Sequence, residues 1–144
     1  MAHYILNLVK GDAPDAPAPR EQAAGLLRAG MWGIDTDERH REALAAGDLV
    51  LIYLGAPERE FVGRAKLGSR AHEWTPPEAE AYPGDSAAGV TLTQVEGWDP
   101  PVSMSAVLSR IDSPVARADF GAGVVQITAD EYETALAVAA GRAS

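Results

Sequence analysis

The stretch "GDLVLIYLGAPEREFVGRAKLGS", residues 47–69, sets two strand-length runs on either side of a short polar turn. Residues 48–55 form a continuous apolar run rich in branched and aromatic side chains, which suit a pleated, packed surface. "APER" (56–59) interrupts it and "EFVGRAKLGS" (60–69) resumes it, so the two runs read as antiparallel neighbours. Side chains alternate across a strand. That alternation expects Phe61, Gly63, Ala65 and Leu67 on one face, and Val62, Arg64 and Lys66 on the other, the cations pointing together away from the core.

Toward the N-terminus, "HYILNLV" (3–9) is another strand-length run, followed by a Pro- and Asp-rich loop at 10–19. "REQAAGLLRAG" (20–30) spaces apolar residues at 23, 26 and 27 and closes on a glycine suited to a left-handed helix cap. Asp35 and Glu38 form a capping pair for a second helix through "ERHREALAAG". Toward the C-terminus, residues 71–88 carry Pro76, Pro77 and Pro83 and read as a loop with at most one helical turn around "PPEAEAY". "GVTLTQVEGW" (89–98) alternates as a strand, and "SMSAVLSRI" (103–111) reads as a brief helix with Met104, Val107, Leu108 and Ile111 inward. Thr128 and Glu131 supply the capping box of a closing helix that lines up Tyr132, Leu136 and Ala139.

A chain of 144 residues, 47% hydrophobic, suits one domain over 1–144. No apolar run approaches the ~20 residues that cross a bilayer, and "MAHYILNLVKGD" has neither a basic leader nor a small-residue cleavage site after a long apolar region, so a cytoplasmic protein is expected. With no cysteine, disulfides, thiol catalysis and cysteine zinc sites are excluded. The net charge of −9 argues against bulk electrostatic grip on nucleic acid. Residues 1–72 hold 9 Lys/Arg against 10 Asp/Glu, whereas residues 73–144 hold 3 against 11, so an anionic ligand should meet the first half.

Sites of known spacing are missing: there is no nucleophile elbow, phosphate loop or metalloprotease helix. "GAG" at 121–123 is an ordinary turn signal rather than a dinucleotide fingerprint. His3, His40 and His72 are scattered, and "DTD" (35–37) is explained by helix-start chemistry, so neither metal nor cofactor is expected. Nothing supports an enzyme. The aromatic side chains remain, and Trp32 in "GMWGI" (30–34) is the unusual one. Its flanking Gly30 and Gly33 permit close approach of another group, which suits a pocket rim, with an end plug of a barrel as the rival reading.

The order "MWGI…RHREALAAGDLVLIYLG…FVGRAKL" resembles the EVE domain of the PUA-like superfamily, related to YTH and ASCH domains. "HYILNLV" is similar to that family's first strand, and "FGAGVVQITADEYETAL" to its closing strand and helix, so the resemblance spans nearly the whole chain. It implies an α+β fold: a PUA-like β-barrel of about five to six mostly antiparallel strands with short helices around it. It also implies a non-catalytic module that takes a modified base of DNA or RNA, notably a modified cytosine in DNA, flipped into an aromatic pocket. Base stacking on a ring contributes ~1–3 kcal/mol, enough with a few polar contacts to offset unstacking. An ASCH-like RNA- or nucleotide-processing enzyme using the same cavity is the alternative.

Carried over by position, the resemblance gives Trp32 and Gly33, Asn7, Tyr53, and Phe120 with Gly121 as base-binding residues. Asn7 also reads as a strand-end polar group bonded to backbone, and Tyr53 equally as core. Arg39, Arg41, Arg64 and Lys66 are candidates for the nucleic-acid backbone, or ordinary solubilising charges. Ile5 stands where the family commonly has a second tryptophan. The acidic second half leads to the further expectation of a protein partner that supplies nucleic-acid affinity.

Overall fold

The computed structural model describes residues 2–8, 19–34, 41–54, 59–82, 87–108 and 124–142. Among the described residues the order is β1 (His3–Leu8), α1 (Pro19–Ala29), β2 (Met31–Gly33), β3 (Leu49–Leu54), β4 (Glu60–Leu67), β5 (His72–Glu73), α2 (Pro76–Ala81), β6 (Ala88–Ser103), α3 (Met104–Leu108), β7 (Val124–Ile127) and α4 (Ala129–Arg142). They form one curled, mixed sheet in the order β2-β6-β4-β3-β1-β7, with β5 also paired to β6. Among the described residues, six strands run along this path and the two-residue β5 adds a seventh. Of the described pairs, only β1 with β3 is parallel.

The β3–β4 pair forms as its sequence dictates, but its faces do not alternate simply. Tyr53 pairs with Phe61 and Ile52 with Gly63, so Val62 is an extra residue, a β-bulge. This shifts Phe61 onto the face of Arg64 and Lys66, and sends Val62 to join Ala65 and Leu67. The simple alternation is therefore corrected at Phe61 and Val62. Gly63 is required for close packing, since a Cβ there would lie 2.5 Å from the Glu96 carbonyl oxygen on β6.

Two apolar cores result, one on each face of the sheet. The first gathers Tyr4, Leu6, Val50, Ile52, Leu54, Val90 and Val124 with Ala23 and Leu26 of α1, and it contains Trp32. The second gathers Ile5, Leu51, Tyr53, Phe61, Trp98 and Val102 under α3 and α4. Each fully buried aliphatic side chain here contributes about 1.5–3 kcal/mol.

Helix α1 ends where its glycine directs: Gly30 has φ +69° and donates to the Leu27 carbonyl. The expected second helix is not a helix where it is described. Residues 41–43 form a single 3-10 turn, and its proposed capping residues, Asp35 and Glu38, lie outside the described residues. Asp48 closes that turn instead. Its buried carboxylate accepts from the amides of Ala45 and Ala2, each at 3.0 Å, while its own carbonyl accepts from Leu67. One residue, through its carboxylate and its carbonyl, thus ties Ala2, the end of the 3-10 turn and β4 together. The closing helix has its capping box: Glu131 donates its amide to Thr128 Oγ1 at 3.1 Å, and Thr128 donates to Glu131 Oε1 at 2.8 Å. No described helix is long and apolar enough to cross a membrane.

Candidate functional site

Trp32 is not on an open rim. It is 2% exposed, packed in the first core beneath α1, so the end-plug reading fits it better than the pocket-rim reading. The two glycines of "GMWGI" have other physical work. Gly30 supplies the helix cap, and Gly33 faces Gly89 across the β2–β6 pair. A Cβ on Gly89 would collide with the Trp32 carbonyl, so the strands approach there only because Gly89 lacks a side chain.

The other expected base-binding residues do not converge on Trp32. Asn7 and Tyr53 are direct partners in the parallel β1–β3 register, on the face of the second core, with the sheet between them and Trp32. Both are buried; burial pushes the Tyr53 hydroxyl pKa up, and that hydroxyl contacts Met104 Sδ at 3.4 Å. Phe120, Gly121 and Arg39 lie outside the described residues. Arg41 begins the 3-10 turn, and its buried Nε has no hydrogen-bond partner among the described residues. Arg64 donates through Nε to Glu96 at 2.8 Å and also bonds the Tyr132 hydroxyl, so its charge is engaged within the fold. Lys66 shares that face, and no described group of His, Asp and Glu could hold a metal ion.

The structure instead brings together side chains that no sequence motif had linked. Among the described Phe, Tyr and Trp residues, only Trp74 and Tyr82 are half-buried; the others are buried. Their rings lie 5.0 Å apart, tilted by 40°, and the His72 ring meets Trp74 edge-on at 5.6 Å. Trp74 packs over Gly89, where a Cβ would come within 2.7 Å of its ring. Because Gly89 pairs with Gly33 on one side and His72 on the other, this aromatic ledge adjoins the Trp32 strand.

Local chemistry builds the ledge. Thr75 caps α2 by accepting from the Glu78 amide at 3.4 Å, and the Glu78 carboxylate accepts from the Thr75 amide at 2.9 Å. Pro76 and Pro77 fit the first turn, where an amide hydrogen has no helical partner. The same carboxylate reaches His72 Nε2 at 2.9 and 3.1 Å, while His72 Nδ1 lies 2.9 Å from the Arg70 carbonyl. The "TPPE" capping box (75–78) was the signal that could have found this element.

No protein-family profile matches the chain, and no curated protein sequence does. Solved structures do. The human THYN1 protein in complex with 5-methylcytosine-containing DNA is similar at TM-score 0.68 and 12% identity, over 96% of this chain and 98% of that one. The YTH domain of Zygosaccharomyces rouxii MRB1, in complex with N6-methyladenosine RNA, matches at TM-score 0.61 and 13% identity, over 96% and 86%. An ASCH protein from Zymomonas mobilis matches at TM-score 0.55 and 10% identity, over 94% of each chain. At such identities the likeness shows the fold alone: α+β around a curled mixed sheet, shared with these structures.

Proposed function

We propose that this chain is an EVE-type reader that binds a modified base of nucleic acid, with modified cytosine in DNA the preferred ligand. The observation that carries the reading is the half-buried Trp74–Tyr82 pair beside the Gly33–Gly89 crossing, within a fold shared with proteins solved on modified DNA and RNA. A flipped base needs a flat apolar face that water does not already lose on folding. Trp74 and Tyr82 offer such a face, and Trp32 backs it from the core. Trp32 then acts on the base through the shape of its strand rather than as an open stacking wall. Lys66 and Arg41 are the cations proposed for phosphate, while a protein partner compensates for the acidic second half.

The test is a panel of DNA and RNA oligonucleotides, each with one modified base, titrated at fixed salt against the wild type and Trp74→Ala. A modification-dependent gain in affinity that Trp74→Ala abolishes supports the reading. If no modification changes wild-type affinity, the reading is wrong. Following the same mixtures for product separates a binder from an ASCH-like enzyme, which would turn its ligand over.

A further inference from the structure

The His72–Glu78 contact does more than decorate the ledge. Both ring nitrogens of His72 face acceptors, the Arg70 carbonyl oxygen at Nδ1 and the Glu78 carboxylate at Nε2. A neutral imidazole carries one N–H and can satisfy one of them; only the imidazolium donates to both. Glu78 meanwhile caps α2, a helix of six residues whose Tyr82 lies at its C-terminal end. A helix this short is not stable by itself. Two contacts seen between α2 and the β5 segment are this carboxylate and the Tyr82–Trp74 ring contact, and Tyr82 also packs against the first core.

We propose that His72 is a positioning residue that latches α2 to the Arg70 carbonyl through both ring nitrogens only while protonated, so that proton loss gives up one of the two hydrogen bonds and loosens Tyr82 from Trp74. The latch rests on the base-reading proposal only for its purpose, since the ring pair it sets is the proposed stacking surface. The charged groups facing His72 are Glu78 on α2 and Arg70 just before β5; β6 presents Gly89 and Ala88, without charge, and Glu73 alternates to the other side of β5. The Arg70 carbonyl, and then the Glu78 carboxylate, hold the His72 pKa above its ordinary 6.5. The Thr75 amide, and then His72, hold the Glu78 pKa below its ordinary 4.5. The latch is therefore complete between those two values. It opens as pH rises through the raised His72 value or falls through the lowered Glu78 value.

The test is pH-dependent NMR on the full chain, reading the His72 ring resonances and the exchange protection of the Ala79 and Tyr82 amides, which bond Thr75 and Glu78 carbonyls. In the wild type, His72 titrates above 6.5, and both amides lose protection at the same midpoint, by roughly threefold to tenfold, as for one lost hydrogen bond. In His72→Gln, whose amide still donates to Glu78 without titrating, that midpoint disappears. A wild-type His72 that titrates at or below 6.5, or α2 protection that passes the midpoint unchanged, overturns the latch. So does a His72→Gln variant that keeps the midpoint. These readouts contain no nucleic acid, so their failure leaves the base-reading proposal standing. With an oligonucleotide that binds, wild-type affinity falls across the His72 midpoint and that of His72→Gln does not. A panel with no binder removes the base-reading proposal and leaves the latch to the exchange data.

Discussion

Trp32 and Trp74 meet at one glycine, Gly89, and have opposite fates. Trp32 is 2% exposed in the core under α1, while Trp74 rests half-buried on the outside of β6 beside Tyr82. The same side chain thus serves as core packing in one place and as an available surface in the other. The deciding factor is what lies over each ring: a helix above Trp32, and above Trp74 a six-residue helix held by a capping box and one histidine.

The largest expected effect separates the two tryptophans by stability. Trp32→Ala removes a fully packed ring and should cost about 3–5 kcal/mol in denaturant unfolding. A loss below ~1 kcal/mol would mean that the ring is not core. Next is Asp48→Ala, which leaves the part-buried amides of Ala2 and Ala45 without their acceptor and should cost about 1–3 kcal/mol, with Asp48→Asn recovering part of it. Trp74→Ala should act mainly on binding. Affinity for a modified oligonucleotide should fall by ~1–3 kcal/mol, roughly fivefold to 150-fold, with far less loss of stability than Trp32→Ala. Smallest is Glu96→Gln. Its ion pair with Arg64 is largely exposed, with side chains 40% and 52% accessible, so stability should change by under ~1 kcal/mol.

Much of the fold was legible because local chemistry agreed with tertiary packing. Thr128 and Glu131 cap α4 as their spacing dictates, Gly30 ends α1, and residues 48–54 and 60–67 pair antiparallel. The bulge at Val62 was not legible, because it is set by matching β4 to both β3 and β6, which no single strand's alternation encodes. The second helix was overestimated because Asp48, three residues on, takes the Ala45 amide and closes the chain just after a single 3-10 turn. The candidate site was not legible: the family likeness pointed to Trp32, Asn7, Tyr53 and Phe120 rather than to Trp74 and Tyr82. "GMWGI" stands out through its glycines, yet Gly30 caps α1 and Gly33 pairs with Gly89, the residue whose missing side chain lets β6 approach β2. Trp74 and Tyr82, eight residues apart in a proline-rich segment, meet only because β5 pairs with β6 and α2 turns the chain back. No periodicity signals such a meeting.

The chain has 3 tryptophans, so its indole N–H groups give three separable NMR signals, assignable by single Trp→Phe variants. Titration with an oligonucleotide carrying one methylated cytosine, against the unmethylated control, tests most directly whether the outer ring meets the base. The expected result is a methyl-dependent shift of the Trp74 indole signal, with those of Trp32 and Trp98 changing little. A shift centred on Trp32 or Trp98 with Trp74 unmoved, or no methyl-dependent shift at all, would contradict it.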